Sequence, residues 1–135
     1  MHTICLVDDN PDIIGILSML LSRDEFRVIS APGGGQCIDL LRSEIPDLIL
    51  LDVMMEPMDG WETLERLKNN PRTTGIPVIM LSGKNPTPGE LEKYESCFIA
   101  YMRKPVRYRD LFDTIMSVLE PGRSPLVRNV GVPLH

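Results

Sequence analysis

Three carboxylates, Asp8, Asp9 and Asp52, one hydroxyl, Ser82, and one ammonium, Lys104, lie at or just past the ends of short apolar runs in the sequence. In an open parallel α/β sheet, ligands bind outside the carboxyl ends of the strands, so the polar residues at those ends are the ones to collect. Carboxylates crowded at one place repel each other unless a cation sits among them. All the candidate donors here are hard oxygens with no His or Cys beside them, which matches Mg2+. Three carboxylates and one ammonium leave two negative charges, the charge of one divalent ion. With a metal present, a carboxylate on the middle strand can attack phosphorus and form an aspartyl phosphate, and Asp52 has that position. Lys104 would offset charge, Ser82 would donate its hydroxyl to a phosphoryl oxygen, and Gly83 beside it carries no side chain to obstruct an incoming group.

These side chains need a scaffold of alternating strands and helices, and the hydrophobic pattern supplies one. The spacing predicts strands over Ile4–Val7, Phe26–Ser30, Leu48–Leu51, Val78–Leu81 and Phe98–Met102. Leu48–Leu51 is aliphatic without alternation, the mark of a strand covered on both faces and therefore central. Asn10-Pro11 reads as an N-cap and first helical residue, with Ile13, Leu17, Leu20 and Leu21 facing the sheet until about Arg23. Pro32-Gly33-Gly34-Gly35 reads as a loop, after which Cys37, Ile38, Leu40, Leu41 and Ile45 form a second helix's buried face, closed by Pro46. A third helix is expected from Asp59 or Gly60 to Asn69. Thr87-Pro88-Gly89-Glu90 reads as a capping box for a fourth. Tyr108, Leu111, Phe112, Ile115 and Leu119 share one face of a fifth, which Pro121-Gly122 ends. Residues 121–135 read as a tail. Trp61, the eight methionines and the three cysteines are taken as packing.

The 135 residues suit one domain, and 43% hydrophobic with 24% charged residues excludes a wholly disordered chain. A formal charge of −5 argues against direct binding to nucleic acid or an anionic membrane and favours a neutral or basic partner. Cys5, Cys37 and Cys97 form no Cys-x-x-Cys pair, and the first residues lack a basic start and long apolar run, so a cytoplasmic location is expected. No run approaches about 18 apolar residues, so no membrane span is expected.

The ordered set Val7-Asp8-Asp9-Asn10, Leu50-Leu51-Asp52-Val53-Met54-Met55, Met58-Asp59-Gly60, Leu81-Ser82-Gly83 and Tyr101-Met102-Arg103-Lys104-Pro105 resembles the receiver domains of two-component response regulators. The resemblance covers residues 3 to about 120. It implies a flavodoxin-like three-layer α/β/α sandwich with a five-stranded parallel sheet of order 2-1-3-4-5. It assigns residues 1–120 to the receiver and 121–135 to a C-terminal tail or the start of a linker. Asp52 would accept phosphoryl from a sensor histidine kinase or phosphotransfer protein, with Lys104 and Ser82 contacting the phosphoryl group. Asp9 and Asp52 would ligate Mg2+ together with the Met54 carbonyl, and Asp8 would act mainly through water. A cis Lys104–Pro105 peptide is implied as well. So is a switch in which the Ser82 hydroxyl moves toward the phosphoryl group and Tyr101 rotates inward, repacking the face of helix 4, strand 5 and helix 5 against a downstream protein.

The chain departs from the family at Met54-Met55-Glu56-Pro57-Met58, where proline followed by glycine is commoner, so a different turn is expected there. Met54 and Lys84 occupy positions that tune loss of the phosphoryl group, and a bulky Met54 should slow water. Two rivals are weaker. A Mg2+-dependent phosphohydrolase resembles Asp-x-Asp, and Met54 fills the second acid's place. A flavin-binding flavodoxin would put phosphate against Asp8 and Asp9. The resemblance therefore implies a phosphoacceptor that is not an enzyme toward external substrates, either alone or as the receiver of a larger regulator with an output domain.

Overall fold

A computed structural model of the chain describes residues 1–122; the expected tail lies almost wholly outside the described residues. Its elements alternate: β1 (Thr3–Val7), α1 (Pro11–Arg23), β2 (Arg27–Ala31), α2 (Gly34–Leu40), β3 (Leu48–Asp52), α3 (Gly60–Lys68), β4 (Val78–Ser82), α4 (Pro88–Tyr94), β5 (Ala100–Arg103) and α5 (Tyr108–Leu119). The five strands are parallel in the order β2-β1-β3-β4-β5. This is the flavodoxin-like order expected, with β3 central and every one of its residues buried.

Side chains of the strands alternate between two cores. Ile4, Leu6, Leu48, Leu50, Ile79, Leu81, Ala100 and Met102 pack with Leu17 and Leu21 of α1 and Leu111 and Ile115 of α5. Cys5, Val7, Ile49, Leu51, Val78, Met80 and Tyr101 pack with Cys37 of α2 and Trp61, Leu64 and Leu67 of α3. The period-2 alternation of the strands thus makes three layers.

The helices begin where their caps dictate. Asn10 accepts from the Asp12 amide at 2.9 Å, Asp59 from the Glu62 amide at 2.9 Å, and Thr87 and Glu90 form the reciprocal capping box. Because α4 contains no fully buried residue, that box is a large share of what holds its first turn. Thr87→Ala should cost about 1 kcal/mol, read as a shift in urea midpoint and as faster amide exchange confined to α4.

Three expectations are corrected. Gly34 and Gly35 are the first residues of α2, and the loop ends at Gly33. A Cβ on Gly34 would come within 2.1 Å of Thr63 Oγ1 and 2.9 Å of Met58 Sδ, so α2 and α3 approach each other through the missing side chain. The second helix also stops at Leu40, where the Arg42 and Ser43 amides bond three residues back to Asp39 and Leu40 and the Ser43 hydroxyl takes the Leu40 carbonyl. Ile45 therefore lies outside it and is exposed, although its spacing fitted the buried face. Strand 5 begins at Ala100, not Phe98, because Phe98 turns its ring onto Trp61 and Tyr101 before pairing starts.

Candidate functional site

The sheet register brings the polar residues to one edge. Val7 is level with Leu51, Asp52 with Leu81, and Ser82 with Arg103. Asp8 follows β1, Asp52 ends β3, Ser82 ends β4, and Lys104 follows β5, its amide bonded to the Ser82 carbonyl at 2.7 Å. Residues far apart in sequence converge because each closes a strand of the same parallel sheet.

Asp8, Asp9 and Asp52 each offer one carboxylate oxygen, and these oxygens lie within 4.8 Å of one another. Lys104 Nζ stands 2.6 Å from Asp8 Oδ2 and 3.3 Å from Asp52 Oδ1. Asp8 is buried and fully engaged, since its Oδ1 also accepts from the Asn10 amide at 2.9 Å. Asp9 is exposed. The contacts of Asp52 fall on Oδ1, which faces both Lys104 and the Met54 amide at 3.3 Å; among the described residues Oδ2 has no hydrogen bond.

Electrostatics follow from burial. Desolvation of Asp52, reinforced by the negative charge of Asp8, lifts its carboxyl to about 6, although Lys104 and the Met54 amide pull the other way. For Lys104, burial alone would favour losing the proton. The hydrogen bond to Asp8 and the charges of Asp52 and Asp8 outweigh it, and its affinity for the proton ends above the ordinary lysine value.

The donor set fits Mg2+. It contains only hard oxygens, and a six-coordinate ion at about 2.1 Å places opposing ligands about 4.2 Å apart. One oxygen from each of Asp8, Asp9 and Asp52 lies within 4.8 Å of the others, close enough for a single ion to be held among them.

Ser82 is fully buried, and its Oγ accepts from the Lys84 amide at 3.3 Å. Tyr101 is buried too, its ring packed inward and its hydroxyl donating to the Lys84 carbonyl at 2.7 Å. A Cβ on Gly83 would meet nothing within 4 Å. Met54 is half exposed beside the site. The unusual turn after it contains a cis Glu56–Pro57 peptide, and Lys104–Pro105 is cis as expected.

Next to the carboxylates opens a cleft of about 380 Å³ whose walls include Asp9, Met54, Glu56, Trp61 and Lys84. Trp61, read from sequence as packing alone, lines this cleft and also stacks on Tyr94 of α4. Its place directly after Asp59-Gly60 hinted at the first contact. No local pattern pointed to the second.

Compared with known proteins, residues 4–116 match the response regulator receiver domain. PilH of Pseudomonas aeruginosa is 31% identical over 119 residues, covering 88% of this chain and 98% of PilH. A probable cyclic di-GMP phosphodiesterase of Vibrio cholerae is 36% identical over 90% of this chain, which spans 27% of that protein. CpxR of Escherichia coli is 38% identical over 88% of this chain, which spans half of CpxR. Among solved structures, the N-terminal domain of a response regulator receiver protein from Methanoculleus marisnigri is 46% identical, covers 89% of this chain and 98% of that one, and superposes with a TM-score of 0.74.

Proposed function

The chain belongs to the response regulator receiver domain family, and from that premise we propose that Asp52 is its phosphoacceptor and Mg2+ its cofactor. The observation that carries the reading is the Lys104 ammonium set between Asp8 and Asp52, with Asp9 in reach, at the end of the central strand. Bound there, the metal would screen the charge between carboxylate and phosphoryl oxygens. Asp9, Asp52 and the Met54 carbonyl would hold it, with Asp8 reaching it through water.

The remaining chemistry belongs to the side chains. Asp52 Oδ2 forms an O–P bond while the donor's P–N bond to histidine breaks, and the imidazole leaves. Lys104 is already an ammonium and pairs with a phosphoryl oxygen, while Ser82 donates its hydroxyl to another. Tyr101, already packed inward beside Ser82, keeps that place, and the face of α4, β5 and α5 meets a downstream protein. The phosphoryl donor is a sensor histidine kinase or a phosphotransfer protein. On this reading the chain turns over no external substrate.

Incubation with Mg2+ and a small phosphodonor, followed by intact mass, tests the reading: one phosphoryl increment is expected, and no increment at any donor concentration would overturn it. Replacing Met54 with a small polar residue bears on persistence of the product, because Met54 lines the cleft beside the carboxylates and its bulk would hinder water there. Met54→Asn should shorten the aspartyl-phosphate half-life severalfold, followed by phosphate release after donor removal.

The chain spans about half or less of the length of the Vibrio cholerae and Escherichia coli relatives. That partial match favours one second reading, a receiver that works as a module of a longer regulator. The open reading frame beyond His135 decides it.

A further inference from the structure

Helix α4 is secured to the body of the protein by an aromatic contact. Tyr94, at its last turn, lies flat on Trp61 of α3, with ring centroids 4.9 Å apart and planes 11° from parallel. The Tyr94 hydroxyl donates to Glu65 Oε2 at 3.2 Å, and Lys93 approaches the same oxygen at 3.8 Å. Trp61 also stacks with Tyr101 at 6.1 Å and 23°. Beyond Tyr101 the connection becomes hydrogen-bonded. Its hydroxyl holds the Lys84 carbonyl at 2.7 Å, and the Lys84 amide in turn donates to Ser82 Oγ at 3.3 Å.

That last bond matters for chemistry. An amide donating to Ser82 Oγ occupies an oxygen lone pair, so the hydroxyl proton goes to an acceptor: the Tyr101 oxygen beside it, or a phosphoryl oxygen that draws it away. We propose that Trp61 and Tyr94 are positioning residues for phosphoryl acceptance: the Tyr94–Trp61–Tyr101 stack keeps the Lys84 peptide against Ser82 and so keeps the Ser82 hydroxyl ready for a phosphoryl oxygen. The proposal rests on the assignment of Asp52 as phosphoacceptor. Neither Trp61 nor Tyr94 touches the reacting atoms. Because coupling between sites is reciprocal, a phosphoryl group at Asp52 in turn strengthens the hold of α3 on α4.

The test is calorimetric titration of the whole chain with beryllium fluoride, a phosphoryl analogue, in saturating Mg2+, and separately with Mg2+ alone. Tyr94→Leu should bind the analogue about threefold to tenfold more weakly, the range that one aromatic pair supplies. Its affinity for Mg2+ alone should match the wild type, because Ser82 donates to phosphoryl and ligates no metal. Glu65→Gln, which loosens the Tyr94 hydroxyl and keeps the ring, should give a smaller loss in the same direction and guards against a folding defect in the first variant. In a Tyr101→Phe background, where the bond to Lys84 is absent, Tyr94→Leu should add nothing.

Analogue affinity within twofold of wild type in Tyr94→Leu overturns the proposal, as does an equal loss of Mg2+ affinity, which would mark general damage to the site. A wild-type chain that takes up no analogue overturns the Asp52 assignment and this coupling with it.

Discussion

Asp52→Asn should take up no phosphoryl group from a small phosphodonor in Mg2+, and in metal-free buffer it should melt at a higher temperature than the wild type. The first effect is the loss of the attacking oxygen. The second follows from the surroundings of that carboxylate, which is buried and faces Asp8. In the folded chain its proton is held up to about pH 6, against an ordinary value of 3.8. Between those values the folded state binds more protons than the unfolded one, so stability falls as pH rises through that window. Above it the full cost is present, on the order of 2–3 kcal/mol. Asparagine carries no such cost, although it also gives up the pairing with Lys104. The midpoint should rise by roughly 5 °C at pH 7.5 in chelator, and the gap should close as the pH is lowered toward 4. Added Mg2+ should stabilise the wild type more than the variant. A variant that melts below the wild type in chelator would show that the Lys104 pairing outweighs the burial of charge.

Gly60→Ala should be among the most damaging single-methyl changes in the chain. A Cβ there would sit 2.2 Å from the Asp52 carbonyl oxygen and 2.6 Å from the Val53 Cα. The Gly60 amide bonds the Val53 carbonyl at 2.8 Å, so α3 starts hard against the backbone that carries the acceptor. The obstacle is main chain and cannot rotate away. Loss of about 3 kcal/mol is expected, read as a lower urea midpoint at unchanged slope. Phosphoryl uptake by the folded fraction should fall as well, because relief of the clash moves Asp52. Stability within 0.5 kcal/mol of wild type, about the range of an ordinary surface change, would refute this account.

The parts of the fold that were readable in the sequence were those governed by local pattern. Leu48–Leu51 announced a central strand because every residue is aliphatic, and Asn10, Asp59 and Thr87 announced helix starts because their side chains cap nearby amides. Asp8, Asp9, Asp52, Ser82 and Lys104 were readable because each lies at or just past the end of an apolar run, and their convergence required only that the runs be parallel neighbours. What escaped depended on contacts between distant residues. Gly34 counted as a loop residue by propensity, yet it opens a helix at a place where Thr63 and Met58 leave no room for a Cβ. Ile45 had the right spacing and the wrong length of helix beneath it. The stack of Trp61 on Tyr94 joins residues 33 apart, which no periodicity signals.

The lysine bridging Asp8 and Asp52 has a consequence for how the protein waits. An internal cation already occupies the space between the two buried acids, so the fold keeps its own counter-charge when divalent ions are scarce. Chelation should therefore silence the molecule while leaving it folded, and restoring the ion should return it to readiness at once, with no refolding delay.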